Sequence, residues 1–288
     1  RKSIYLDISN HYSHVTCPLN SYIDTVLWNE MNLFNIKHIK ETLSNLDNNP
    51  FDHCVIDNFF LPKVANNLSS SFPKYRSNIW HVYKSKIEHK KTCNNWNSFD
   101  NLTYEVFRQL NSELFVNLIG NKIKCKLLSD PGLHGGGWHI HSNNGNLNPH
   151  LDYTIHPKTN LQRRINLIVY LEKNYKAMYG GHLGLWGHNK ETDQPGKLIK
   201  EVFPKYNRAI IFDTPQNSWH GLSKKVNLPK NIYRKSIAVY YLCQPKKNHL
   251  SNKKALFAPR ENQKKSRDVL DLIKIRSDEN LFHKAYKK

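Results

Sequence analysis

Long apolar runs are missing from this chain. None approaches the roughly 18 residues that a membrane-spanning helix needs, so no membrane association is expected. Cysteine is sparse: Cys17, Cys54, Cys93, Cys125 and Cys243 are scattered, odd in number and without a C-x-x-C pair. They suit neither a disulfide framework nor a zinc knuckle, and a reducing, cytoplasmic compartment is expected. Acidic residues are also few, 23 Asp and Glu against 43 Lys and Arg, which leaves a formal charge of +20. A balance this basic favours acidic partners such as nucleic acid or anionic glycans; its plainer reading is a solvated, lysine-rich surface. There is no internal repeat. The opening "RKSIYLDISN" has neither a Met nor an apolar signal core, so a trimmed or processed chain is expected.

What is present is a globular composition, with 39% hydrophobic and 11% aromatic residues over 288 positions. The pattern divides into an N-terminal extension (1–50), a main domain (51–245) and a basic tail (246–288). The extension contains a helix around Ile36–Leu46. "FDHCVIDNFFLPKVANNLSSSFP" reads as a strand over His53–Ile56, a turn, then a helix opening near Pro62, with Leu61, Val64 and Leu68 on one face. One longer helix is expected in "SFDNLTYEVFRQLNSELFVNLIG", where Leu102, Val106, Leu110, Leu114 and Leu118 recur every four residues and Gly120 provides a stop. From about residue 122 short strands take over: "KIKCKLL", "WHIH", "HLDYTI", "INLIVYL", "HLGLW", "LIKEVF", "AIIFDT", "WHGL" and "SIAVYYL". Short strands separated by turn formers argue for a barrel or double sheet. The expected fold is therefore mostly β with flanking helices (α+β), a jelly-roll core over about 122–245 with helices packed outside. In the tail, "DVLDLIKI" and "ENLFHKAY" are expected as short helices after Ser266 and Ser277, docked on the core or a partner subunit, with the lysines free to contact a polyanion.

Chemistry enters with "NPHLDYTIHP". On a strand, residues two apart share a face, so His150 and Asp152 project together while Leu151 points away. With 16 histidines in the chain, chance alone supplies about 0.7 H-x-D matches, so the pattern needs support downstream. "NSWHGL" provides it with His220, after the strand "AIIFDT". Two imidazoles and one carboxylate are the facial triad of non-haem Fe(II) oxygenases, which leaves room for a bidentate 2-oxo acid and for O2. The far carboxylate of such an acid needs an anchor. "NIYRKSIAVYYL" places Arg234 and Ser236 on one face of the last core strand, and a guanidinium fork matches a carboxylate. "RRINLIVYL" puts Asn166, Ile168 and Tyr170 on one face, which makes Asn166 and Tyr170 further candidates. His139 and His141 in "GGWHIH" are candidates for the substrate entrance. Trp138, Trp186 and Trp219 read as packing, and His156, His182 and His188 as structural.

The order H-x-D, "INLIVYL", "YGG", "FDT…SWHGL", "RKSIAVYYL" resembles the iron(II)/2-oxoglutarate-dependent dioxygenases, in particular the prolyl 4-hydroxylase-like group, over roughly residues 51–245. That resemblance implies a double-stranded β-helix with iron held by His150, Asp152 and His220. It also implies 2-oxoglutarate held by Arg234, with Ser236 and Tyr170 in supporting positions. Dioxygen is the second co-substrate, and ascorbate has a place as auxiliary reductant. Members of the group decarboxylate 2-oxoglutarate to succinate while the substrate is hydroxylated. Prolyl hydroxylases often follow the double glycine with an acidic residue and a threonine, whereas Gly180 and Gly181 are followed here by "HLGLW". The expected substrate is a peptidyl (prolyl-type) residue, a free amino acid or another small molecule. Two alternatives stand beside it: the same chemistry on a nucleic acid or sugar-linked metabolite, and a non-catalytic basic β-sandwich that only binds. Oligomeric state is left open.

Overall fold

Alternating apolar residues in the second half of the chain lay down two antiparallel sheets. The computed structural model describes residues 32–214, 217–245 and 254–286, within which the strands are β1 (His53–Ile56), β2 (His81–Lys84), β3 (Glu88–Cys93), β4 (Gly137–His141), β5 (Asn146–Leu147), β6 (His150–Leu151), β7 (Gln162–Tyr170), β8 (Leu183–Asn189), β9 (Gln194–Val202), β10 (Ala209–Asp213), β11 (His220–Leu222), β12 (Arg234–Cys243) and β13 (Leu256–Phe257). The larger sheet runs β1-β10-β7-β12-β4-β3-β2, with β5 paired to β3; the smaller runs β13-β6-β11-β8-β9. They meet face to face. Tyr170, Ile210 and Phe212 from the larger sheet pack against Leu183, Leu185 and Val202 from the smaller, all buried. Each fully buried aliphatic side chain of this kind contributes about 1.5–3 kcal/mol relative to exposure. This is the expected jelly roll, and strands from outside 122–245 (β1, β2, β3 and β13) complete both of its sheets.

Helices cover the outer face of the larger sheet. They are α1 (Ile36–Leu43), α2 (Pro62–Ser71), α3 (Asn101–Leu110) and α4 (Glu113–Lys122), with α5 (Arg267–Ser277) in the tail. Tyr241, on the outward side of β12, donates its hydroxyl to Leu110 O (2.9 Å) and lies beside Phe115. Asp100 caps α3 by accepting from Thr103 N at 2.7 Å.

Several local expectations change. The helix expected over Ile36–Leu46 ends at Leu43. The single long helix is two, because Ser112 starts a new one: its hydroxyl accepts from Phe115 N and donates to Gln109 O. After the break the inward face moves from Val106, Phe107 and Leu110 to Phe115, Leu118 and Ile119. Gly120 lies inside α4 and is no stop; the chain doubles back over it so closely that a Cβ there would sit 2.7 Å from Cys125 O. "KIKCKLL" is consumed by this turn, and only Leu128 forms a bridge, to Leu242. Leu61 is 39% exposed, and α2 buries Ala65 and Leu68 instead. Ser277 ends α5, and "ENLFHKAY" forms a 3-10 turn over Phe282–Tyr286. Among the described residues, no helix is long and apolar enough to cross a membrane. Residues 1–31, Cys17 among them, and most of "KKNHLSNKK" lie outside the described residues.

Candidate active site

The two histidines meet because their strands pair at those positions: His150 on β6 stands directly opposite His220 on β11. Their ring centroids are 4.3 Å apart. Asp152 follows β6 by one residue and turns to the same side, with its carboxylate oxygens 3.7 Å from Nε2 of each histidine. Gly221 permits the approach, since a Cβ there would lie 2.6 Å from Asn148 O. Each imidazole is fixed in orientation by the carbonyl two residues before it. His150 Nδ1 donates to Asn148 O (3.0 Å) and His220 Nδ1 to Ser218 O (2.8 Å). The tautomer is thereby set, and both Nε2 lone pairs face the cluster.

Charge follows the same design. Burial would raise the Asp152 carboxyl, but His150, His220 and Arg163 around it outweigh that and hold it well below the usual carboxylate range. Burial pushes His220 down to about 4, and its neighbour His150 acts in the same direction. The result is an ionised carboxylate beside a neutral imidazole, the forms that ligate metals. One donor atom from each of the three residues lies within 4.8 Å of the others, the one such group of three found among the described residues. Asp152 Oδ2 is buried without a hydrogen-bond partner. A buried carboxylate with one orphaned oxygen, its two oxygens each facing one imidazole Nε2, fits a cation, and the donor set fits Fe(II).

The second half of the pocket lies on the larger sheet. Ser236 is paired with Tyr170 on one side and His139 on the other, and Arg234 is opposite His141. Arg234 is 4% exposed; its Nε donates to Gly181 O at 2.7 Å. Gly181 sits at φ +64°, and a Cβ there would meet Tyr175 Oη at 2.6 Å and Arg234 Cδ at 3.1 Å, so the double glycine makes room for the guanidinium. Tyr170 lies under Arg234. Its hydroxyl, Asn166 Oδ1 and both ring nitrogens of His141 are buried without hydrogen-bond partners. Burial, reinforced by Arg234, keeps the His141 pKa well below that of an ordinary histidine, and burial with Lys90 takes His139 to about 3. Both rings are therefore neutral. Of these, the Tyr170 hydroxyl and the one N–H of the neutral His141 ring are donors, and beside a buried arginine they are what an anion bearing a carboxylate would satisfy.

The registers thus bring Arg234, Ser236, Tyr170, His139 and His141 side by side on the larger sheet, and His150, Asp152 and His220 together on the smaller. His141 sits deeper than a substrate entrance, beside Arg234, while His139 is only partly buried and donates to Gly135 O. Trp138, Trp186 and Trp219 are buried, as packing residues should be. His156 lies 3.5 Å from Asp130 and His188 accepts from Trp219 Nε1, away from the cluster.

Sequence reasoning missed Arg163. Strict alternation along "RRINLIVYL" would set it on the outward side with Ile165. A register shift between Tyr241 and Leu242 inserts an extra residue and turns it inward. There it lies between the rings of Tyr153 and Tyr240, 3.6 Å from each, donates to His134 O and comes within 3.8 Å of Asp152. Phe257 and Arg260 were also missed, because a two-residue strand in a basic tail has no periodicity to detect.

Two facing antiparallel sheets with a His–Asp–His cluster on the smaller one define the double-stranded β-helix oxygenase class. Residues 137–242 match the 2OG-Fe(II) oxygenase superfamily model. The superfamily comprises 2-oxoglutarate-dependent dioxygenases, with Fe(II) and 2-oxoglutarate as metal and co-substrate. The fold is prolyl 4-hydroxylase-like: a Pseudomonas putida prolyl-4-hydroxylase superposes with a TM-score of 0.51 at 11% identity, over 72% of this chain and 97% of that one. A curated relative, the prolyl 3-hydroxylase OGFOD1 of Xenopus laevis, is 32% identical over 62 residues. That match takes in 22% of this chain and only 12% of the relative's length.

Proposed function

We propose that the chain is a hydroxylase that uses Fe(II), 2-oxoglutarate and O2 to oxidise a C–H bond of a peptidyl, prolyl-type residue or a free amino acid. One oxygen atom enters the substrate and the other enters succinate, with CO2 released from the co-substrate. The observation that carries this reading is the pairing of His150 with His220 beside Asp152, with both Nδ1 atoms engaged elsewhere. In it, Nε2 of His150 and His220 and a carboxylate oxygen of Asp152 hold the metal, which when bound supplies the activation of O2. Arg234 pairs with the far carboxylate of 2-oxoglutarate, Ser236 and Tyr170 donate to it, and Asn166 lies along the same wall. His141, a neutral ring opposite Arg234, contributes a further donor there, and His139 faces the substrate side. The four free thiols Cys54, Cys93, Cys125 and Cys243 support a reducing compartment.

The prolyl assignment leans on the likeness to a prolyl 3-hydroxylase within one segment. A polyanionic substrate is the second reading, supported by the charge of +20. The test is incubation with Fe(II), 2-oxoglutarate and either a proline-containing peptide library or oligonucleotides. Mass spectrometry should find a gain of one oxygen matched by succinate, lost in His220→Ala. Succinate formation undiminished in a folded His220→Ala protein would remove the assignment.

A further inference from the structure

We infer that the C-terminal segment 255–263 is a working part of the metal site, in which Phe257 and Arg260 are positioning residues that fix His150 relative to His220. This rests on the metal reading of His150, Asp152 and His220. The strand bearing His150 is only two residues long and β11 only three, and they are paired with each other at a single position. Two residues of ladder cannot by themselves hold a ligand still. The tail provides what the strands lack.

On the side of β6 away from β11, Phe257 pairs with His150 and Leu256 with Leu151, and Ala258 N donates to Pro149 O at 2.8 Å. The Phe257 ring stacks on the His150 imidazole with centroids 5.1 Å apart and planes at 19°. His150 is thus held by a ring on its face and by a carbonyl, Asn148 O, at its Nδ1. Asn148 is itself tied to the tail: its Nδ2 donates to Ala258 O (3.0 Å) and to Gln263 Oε1 (2.6 Å).

Arg260 then joins the segment that leads into β6 to the end of β11. Its guanidinium donates to Asn146 Oδ1 (2.8 Å), Leu147 O (3.3 Å) and Asn148 Oδ1 (3.2 Å), all just before His150. It also donates to Leu222 O (2.7 Å) and Ser223 O (3.0 Å), just after His220. Five acceptors on the two segments engage all three guanidinium nitrogens, a spread lysine cannot reproduce. Among the described residues Arg260 faces no carboxylate, so its role is not that of an ion pair. Burial pushes its pKa down to about 10, which leaves it protonated and donating at neutral pH.

The test reads the metal directly. Mn(II) binding, followed by electron paramagnetic resonance, should weaken roughly tenfold or more in Phe257→Ala and in Arg260→Gln, in the range that outer-shell partners of metal ligands command. Phe257→Tyr should restore the affinity, and Arg260→Lys should recover it only in part. Lys86→Ala, which breaks an exposed 2.8 Å ion pair between the core and Asp268 of the same tail, should leave it unchanged. If Phe257→Ala or Arg260→Gln fails to fold, Phe257→Tyr and Arg260→Lys decide: a folded Arg260→Lys with wild-type Mn(II) affinity overturns the inference. So does a fall in thermal stability of the two truncations without any change in Mn(II) binding, which would make the tail structural only. Asp152→Ala separates the two readings. Were it to bind Mn(II) as well as the wild type, the metal site would lie elsewhere and the inference would fall with it.

Discussion

The two ends of the pocket are built by opposite means. Arg234, Ser236, Tyr170 and Asn166 sit on β12 and β7, strands of ten and nine residues whose ladder is continuous apart from one register shift. His150 and His220 sit on strands of two and three residues. At the carboxylate end the sheet is the scaffold, and side chains project from backbone that is already fixed on both edges. At the metal end the ligand strands are short, and order is added by the main-chain carbonyls of Asn148 and Ser218 on the Nδ1 atoms, by Phe257 on the ring face and by the Arg260 fork, which spans residues 146–148 before β6 and the end of β11. The chemistry explains the difference. A bound carboxylate needs a fixed charge at one end of a pocket, which a long strand supplies. A metal with open positions needs three donors converging from different directions, which a regular sheet cannot offer without breaking its own ladder.

The largest expected effects come from removing what each end holds. Asp152→Ala or His220→Ala should abolish Mn(II) binding and succinate formation, a loss beyond the roughly 10–100-fold that outer-shell changes bring. Calorimetric titration with Mn(II) checks it, with circular dichroism to confirm the fold. Arg234→Ala should leave Mn(II) affinity near wild type while 2-oxoglutarate binding loses about 2–5 kcal/mol, the cost of truncating one partner of a buried charged pair. Arg234→Lys should lose less, because a point charge replaces a fork. Metal and co-substrate losses that always travelled together would break the division into two ends.

The same contrast decides what could be read from the sequence. The long strands announced themselves: "INLIVYL" and "SIAVYYL" are apolar on both faces, and the parity along them correctly grouped Arg234 with Ser236 and Asn166 with Tyr170. His150, Asp152 and His220 were legible too, because strand parity sets the first two and residue type with chain order sets the third. What held them in place was not. Phe257 and Arg260 act from a segment remote in sequence whose regular structure is a two-residue strand and a single 3-10 turn over Glu261–Gln263. Arg163 needed a bulge that no composition signals. The long helix failed for a related reason: its fourfold leucine spacing continues unbroken through Asn111 and Ser112, while the local capping by Ser112 resets the helix and rotates its buried face.

Arg163 tests how far the metal end depends on buried charge. Its guanidinium lies 3.8 Å from Asp152 and is held between two tyrosine rings. Arg163→Met keeps much of the volume but removes the cation that helps hold Asp152 ionised and aligned. A folded variant should bind Mn(II) roughly tenfold more weakly, with 2-oxoglutarate affinity much less affected. Equal losses of both would mean that the two ends share a support.

The smallest effect concerns acid, and it acts at the carboxylate end. His139 is taken down to about 3 in the folded chain by burial and by Lys90, and His141 lies well below its ordinary range. Unfolding exposes both rings and returns them toward about 6.5. Between roughly pH 6.5 and 3 the unfolded state therefore binds more protons than the folded one, so stability present above pH 6.5 is lost as pH falls. Thermal unfolding followed from pH 7 to pH 5 should show a declining midpoint, and His139→Gln should reduce the slope by removing one of the rings that must stay neutral. His139 is partly exposed, so its share should be the lesser and His141→Gln should flatten the curve more. A midpoint that falls equally in the wild type and in both variants would place the acid sensitivity outside this pocket. The long-strand end would then owe none of its acid response to the rings that line it.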